Sequence, residues 1–547
     1  MSDRIDPRRS GSIGTEAQLA SVPDKFLSND PKRPLQYMDD DGSVYTYSLR
    51  PLFYSVVFIL LIELLERFSY YGLTNTQLEY LVGHYNPEWN AGLTSVQASS
   101  FVGASSALAY TAPFIGGIFA DGLFGDYVNI LLGTSLLYLP GLILIALCSY
   151  PYVLGNEFNM AALQAGMLVL WPLGAGFIKS VVNVLGAKQF HPVLQSEMVE
   201  SYYISFYMVI NIGALLGGII LPVVAGKSIA AAYTIPSVAL FVGLIVFVLG
   251  SKRYVKAKPR KDALCKTLKA LASPLTCKSL DSQKETNGGP FKDNFVDGIK
   301  NLLFVFPCTC LILPFCIAYN QMTTVFMIQG NAMKQTIGPS LMQNFDSLSV
   351  IVNGLIYQRY IHPFFSRISL KTTHKIAIGT FCGLLALLTA VIIDYKIHSH
   401  YNGDGQPTVN ILWQIPAFFF VGAGEILTIA LAYDVTFLIA PKEQKGLASG
   451  INLFVWGAVS NFICIGIYNS CKSWFPSDAT SVEQYASSQV YNYLWILIGI
   501  AGFGVLFNLL PPVANWVEGV IHRSIKLNTS TEAQSKGDLT ESLLLNA

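Results

Sequence analysis

The sequence predicts an all-α membrane protein of twelve transmembrane helices in two six-helix bundles. The composition, the number of long apolar runs and the placement of the charges all point that way. Of 547 residues, 52% are apolar and 13% are charged, against roughly a quarter charged in an ordinary soluble domain. So few charges cannot cover a water-soluble protein of this size. The near balance of 35 Lys and Arg against 34 Asp and Glu excludes a broadly basic nucleic-acid binder and an acidic disordered chain.

A bilayer core needs about 20 predominantly apolar residues per helix, because backbone polar groups in lipid must be satisfied within the segment. Runs of that length fall near 51–82, 94–120, 128–149, 160–185, 201–225, 230–250, 301–328, 344–366, 373–395, 411–440, 447–470 and 490–515. The first, fourth, fifth, seventh, eighth and tenth contain polar interruptions, which places them against a protein interior or a cavity rather than lipid. Residues 1–50 and 516–547 read as flexible tails. The first fifty residues hold no apolar stretch behind a basic start, so membrane insertion is expected to begin with the first helix.

The polar stretch 251–300 carries Lys252, Arg253, Lys256, Lys258, Arg260, Lys261, Lys266 and Lys269, and it divides the chain into an amino-terminal bundle, 51–250, and a carboxy-terminal bundle, 301–515. Loops on the same side hold Arg367, Lys371, Lys375, Lys442 and Lys445, whereas 83–93 and 150–159 contain no Lys or Arg. The positive-inside rule therefore puts both termini and the linker in the cytosol. Two six-helix halves joined in this way are the arrangement of the major facilitator superfamily, with substrate held near the midplane between them. A channel or receptor with the same helix count shares the topology, so motifs must decide.

The first run contains Glu63-Leu64-Leu65-Glu66-Arg67-Phe68-Ser69-Tyr70-Tyr71-Gly72. Glu63, Glu66, Arg67 and Tyr70 are spaced to share one helical face. Each charge at membrane depth costs at least ~2.5 kcal/mol, so three together require internal partners or an aqueous cavity. A buried structural ion-pair network and a proton and substrate relay both meet that requirement. This stretch resembles the ExxER motif of the proton-dependent oligopeptide transporter family. Further segments resemble the same family: Phe206 to Leu215 its FYxxINxGSL signature, Gly174 to Lys179 with Gly186 to Phe190 its GxGGIKP and GADQF patterns, and Trp413 to Pro416 with Gly424-Glu425 its WQIPQ and GE segment. The likeness runs from about residue 51 to 515, in the manner of a fungal-like member. Gly116 to Asp121, by contrast, is shared across the whole superfamily.

The resemblance implies a proton-coupled symporter that imports di- and tripeptides by alternating access, and the residue chemistry suits that substrate. A zwitterionic peptide needs a cation and an anion on opposite walls. Arg67 and Lys179 lie in the amino-terminal half and Glu425 in the other; a guanidinium pairs bidentately with a carboxylate, and Asn211 can accept from the ammonium or donate to the peptide carbonyl. By the resemblance, Tyr70, Tyr71 and Tyr110 line the pocket, while lipid anchoring or core packing remains open for each alone. Proton coupling is expected from Glu63, Glu66, Arg67 and Lys179. Asp346 either supplements Glu425 at the ammonium or pairs with a buried cation.

Several positions depart from the family pattern. Asn320 stands where many members have an acid in the seventh helix, and Thr74 where bacterial members have its basic partner, so an outer gate would rest on polar or packing contacts. Asp126 stands where the superfamily has Arg or Lys, and Lys188 replaces the acid of GADQF, which puts the usual inner-loop contacts in doubt.

Other chemistry is weakly represented. No P-loop is present, so ATP is not the energy source. The nine cysteines show no paired zinc spacing and read as small core hydrophobes. His84, His191, His374, His398 and His400 fall at helix ends or in loops without a ligand set. Asn528-Thr529-Ser530 matches a glycosylation acceptor that a cytosolic tail would leave idle. The linker cations suit lipid headgroups or, alternatively, a regulatory docking site. The expectation is a transporter rather than an enzyme, with no cofactor beyond the proton as coupling ion, small peptides and membrane lipid as partners, no nucleic acid and no implied oligomer, located in the plasma membrane. Another small solute (nitrate, an amino acid or a modified peptide) and a non-transporting peptide sensor are the alternatives.

Overall fold

The computed structural model describes residues 22–38, 42–179, 181–259, 280–291, 293–356, 370–403, 405–440 and 445–524, together with 19 and 360. Among the described residues, nine helices are long and apolar enough to cross a membrane: Ser95–Phe124, Asp126–Ser149, Met160–Ala187, Met208–Ala225, Ile229–Lys252, Thr372–His400, Ile411–Thr436, Leu447–Ser470 and Val490–Leu509. Phe295–Cys310 and Leu313–Asn331, bent by 52°, make a tenth if they cross as one span. These correspond to the second to seventh and ninth to twelfth apolar runs. The first run forms the helix Val57–Leu81, set apart by Glu63, Glu66, Arg67 and Glu79. The eighth is described from Asn344 to Ile356.

Local sequence explains where these helices begin and bend. Thr94 caps the second span in a reciprocal box with Gln97, satisfying two otherwise orphaned backbone N–H groups. The seventh span breaks just before Pro314, which follows Pro307 inside the preceding segment, because each proline removes a backbone donor. The first helix packs on the fifth and sixth, the ninth on the tenth and twelfth, and the eighth on the tenth. Contact between the halves runs mainly along the second and eleventh spans.

The chain ahead of the first helix is not wholly a flexible tail. Leu27–Asp30, Arg33–Met38 and Val44–Tyr47 form a three-stranded antiparallel sheet in the order β1-β2-β3. Strands this short are marginal alone; these are held by a separate apolar cluster of buried Val22, Leu35, Tyr47 and Val255. His191, from the loop between the fourth and fifth spans, joins the sheet to the bundle. Its Nε2–H donates to Gln36 O at 3.1 Å, while Nδ1 accepts from the backbone of Val193 at 3.2 Å and Leu194 at 3.1 Å. That pattern needs the neutral imidazole with its proton on Nε2, and burial pushes the group below its ordinary 6.5. Phe26, Tyr37 and Tyr47 stand edge-on around the ring at 5.2, 5.7 and 5.3 Å.

The carboxy-terminal segment also departs from expectation, because the chain stays helical to Ser524, with Ala514, Val517, Val520 and Ile521 buried. Glu518 Oε1 accepts the Thr372 backbone N–H at 2.8 Å, tying this helix to the ninth span. Asn528, Arg367, Lys442 and the linker cations from Arg260 to Lys269 lie outside the described residues.

Candidate substrate and proton site

The polar face of the first helix folds as its spacing predicts. Arg67 Nε lies 2.9 Å from Glu63 Oε1 and Nη2 lies 2.6 Å from Glu66 Oε2. Glu63 is 1% exposed, Glu66 0% and Arg67 6%, so one guanidinium is clamped between two acids out of contact with solvent. Glu63 Oε2 and both oxygens of Glu66 accept no hydrogen bond, so the clamp is chiefly electrostatic and open to a competing partner. Gly213 of the fifth helix abuts Leu64 O and the Arg67 side chain, a position where any side chain would push the two helices apart. Asn211 lies two residues away on the same helix and is half-buried.

Lys179 is placed from the fourth span. It is the last described residue of the helical segment Trp171–Lys179, within the span Met160–Ala187. Gly176 touches the Ala112 backbone, bringing the fourth helix against the second and its Tyr110. Lys179 Nζ consequently lies 3.5 Å from the ring centroid of Tyr70 and 4.7 Å from that of Tyr110. Such a cation–π cradle is worth ~2 kcal/mol when desolvated. Among the described residues, no carboxylate lies within 4.0 Å of Lys179. The two cations thus differ: Arg67 is engaged by acids, and Lys179 rests on aromatic faces.

The other half supplies acids. Glu425 ends the α-helical segment Ile415–Glu425, and the next turn, Ile426–Ala430, is π-helical, a widening frequent at functional sites. Asp346 lies in the first turn of Asn344–Ile356, within electrostatic range of Glu425. Neither has a cation within 4.0 Å among the described residues, so the alternative that Asp346 pairs with a buried cation finds no partner there. Tyr319 stands in range of Glu425, Asp346, Tyr110 and Tyr71, which ties the acids of one half to the tyrosines of the other. Trp456, not singled out from sequence, packs against Tyr110 at 4.7 Å and Tyr319 at 6.4 Å. Its only signal in the sequence was a large aromatic beside Gly457 and Ala458.

The family departures resolve locally. Lys188 Nζ meets Asp126 Oδ2 at 2.6 Å, so the two unusual charges are partners. Thr74 Oγ1 donates back to Tyr70 O at 3.0 Å, and Asn320 Nδ2 donates to Ser460 Oγ at 3.0 Å; each serves its own half. His398 Nδ1 lies 3.3 Å from Asp394 Oδ2, and no group of three metal-ligating side chains occurs among the described residues. The described cysteines are free, five of the seven buried.

The family model described as PTR2, POT family, matches residues 128–477, more than half of the 547-residue chain. The chain is 27% identical over 429 residues to the peptide transporter PTR2 of Saccharomyces cerevisiae, spanning 72% of this chain and 70% of that one. It is 25% identical over 538 residues to the protein NRT1/PTR FAMILY 8.2 of Arabidopsis thaliana, spanning 84% and 92%. The crystal structure of the POT family transporter PepTSo matches with a TM-score of 0.68 at 22% identity, over 86% of this chain and 98% of that one, which shows the shared major facilitator fold. The chain belongs to the POT family, the proton-dependent oligopeptide transporters.

Proposed function

We propose that the protein is a proton-coupled symporter importing di- and tripeptides by alternating access, with both termini and the linker in the cytosol of a plasma-membrane carrier. The observation that carries this reading is the opposition of charge across the interface: Arg67 and Lys179 in one half, Glu425 and Asp346 in the other, with Tyr70, Tyr71 and Tyr110 nearby. A peptide carboxylate bonds to Lys179 first, since Arg67 is already occupied by two acids. The peptide ammonium takes Glu425, with Asp346 beside it and Asn211 at the peptide bond. Tyrosine faces accept varied side chains because aromatic contact is non-directional.

Charge counting supplies the coupling. Glu63, Glu66, Asp346 and Glu425 against Arg67 and Lys179 leave two surplus negative charges when every group is ionised. A zwitterion cannot neutralise them, and charge in the membrane interior is expensive; protons taken up with the peptide can. Protonating Glu66 releases Arg67, which then joins Lys179 on the substrate carboxylate. Deprotonation restores the clamp and expels the peptide. Peptide and proton thereby favour the same state and travel together.

Competition tests the substrate class. Uptake of a labelled dipeptide into cells expressing the protein should be blocked by unlabelled dipeptide and far less by its N-acetylated or C-amidated forms. Equal inhibition by all three, or inhibition by nitrate alone, points instead to another solute.

A further inference from the structure

We propose that Glu79, acting through Ser340, is the latch that holds the outer end of the carrier shut; this rests on the transporter reading and adds a gating residue to it. Glu79 occupies the last turn of the first helix, at the end remote from the linker, and is 2% exposed. Ser340, 1% exposed, belongs to the short helix Pro339–Met342 of the carboxy-terminal half. Ser340 Oγ donates to Glu79 Oε2 at 2.7 Å. A serine hydroxyl carries one hydrogen, so the 2.8 Å contact with Tyr85 runs the other way, from Tyr85 O–H to Ser340 Oγ. Ser340 is therefore gripped by two groups of the opposite half in a directional chain.

Two neighbouring contacts close the same end. Asn344 Nδ2 donates to Gly218 O at 2.7 Å, and Asn469 Nδ2 to Ser100 Oγ at 3.3 Å. Glu79 differs from these in what closure asks of it. Its Oε1 is buried without a hydrogen-bond partner, and among the described residues no cation lies within 4.0 Å. The Ser340 hydroxyl, with Tyr85 also within reach of the carboxylate, thus stands in for the water that Glu79 gives up on closing. Opening the outer end separates Ser340 from Glu79 and returns the carboxylate to water. Thr74 and Asn320, which serve their own halves, leave this task to Glu79 and Ser340.

Removing the donor while keeping the buried acid penalises only the closed state. Ser340→Ala should raise the ratio of outer-open to outer-closed protein by about 5- to 150-fold. Adding Glu79→Leu to that variant removes the stranded acceptor and should return the ratio toward the closed side, whereas Ser340→Thr keeps a hydroxyl and should stay near the parent. Electron–electron resonance between spin labels at Val153 and Leu412, exposed positions of opposite halves at this end, reads the ratio in detergent without substrate, in a background lacking reactive cysteines. An unshifted distance distribution in Ser340→Ala overturns the latch, as does a double variant more open than the single one. If Ser340→Ala fails to fold, Tyr85→Phe tests the same chain and should open the outer end in the same direction; no change there also overturns it. Because the labels report gating alone, an opened Ser340→Ala in a protein that accumulates no peptide would uphold the latch and reject the substrate.

Discussion

Replacing Glu66 by Gln isolates the coupling step. Glu66 is fully buried, and its Oε2 lies 2.6 Å from Arg67 Nη2, closer than the 2.9 Å contact of Glu63 with Nε. Breaking one partner of a buried ion pair costs ~3–5 kcal/mol, so the Glu66 contact biases Arg67 against a competing carboxylate by on the order of 100-fold or more. With that bias gone, Arg67 is available to peptide whatever the pH. The thermodynamic consequence is larger than the binding one. One pH unit across the membrane is worth ~1.4 kcal/mol per proton, about tenfold in accumulation for each proton carried. Glu66→Gln in proteoliposomes should exchange labelled dipeptide down a peptide gradient, while its accumulation ratio under an inward proton gradient falls to about one. If the variant still concentrates peptide with normal pH dependence, competition for Arg67 is not the coupling device, and Glu63 or Asp346 takes over that role.

Three further expectations follow from particular contacts. Glu425→Gln keeps the shape and removes the charge, so affinity for free-amine dipeptides should drop about 10-fold or more while the weak affinity for N-acetylated peptides hardly changes; equal affinities before and after would reject Glu425 as the ammonium site. Lys188→Met strands buried Asp126 and should cost roughly 1–3 kcal/mol in a thermal-melting measurement, with the exchanged pair Asp126→Lys and Lys188→Asp recovering most of it; an exchanged pair no better than the single variant would count against a direct pair. His191 is neutral when the sheet is docked and its proton affinity is lowered by burial, so acidification favours the undocked state. Amide protection in the strands Leu27–Asp30, Arg33–Met38 and Val44–Tyr47 should be constant above about pH 6.5 and fall below it, and His191→Gln should remove most of that slope.

Legibility from sequence followed the range of the interactions concerned. The spans were visible because lipid demands uninterrupted apolar length, and Glu63, Glu66 and Arg67 stood out because charge inside such a run is rare. The Glu63–Arg67 contact followed from i,i+4 spacing, whereas Glu66, adjacent to Arg67 in the chain, is seen to close on it only in the fold. The Asp126–Lys188 pair was legible only as two separate oddities, since 62 positions separate residues that the fold places at 2.6 Å. The amino-terminal sheet was missed because Arg33–Met38 contains Pro34 and a charge and shows no clean alternation; its order comes from His191 and Val255, more than a hundred residues away. Glu79 sat in plain view at the end of the first run, but its partner Ser340 lies in a short connecting helix with no pattern of its own.

The most direct test of the central claim is accumulation of a radiolabelled dipeptide by the purified protein in proteoliposomes, with and without an inward proton gradient. The account predicts concentration of peptide above the external level when the outside is acidic, and mere equilibration when the gradient is collapsed by a protonophore. Equilibration under both conditions, with peptide still bound and exchanged, would contradict proton coupling.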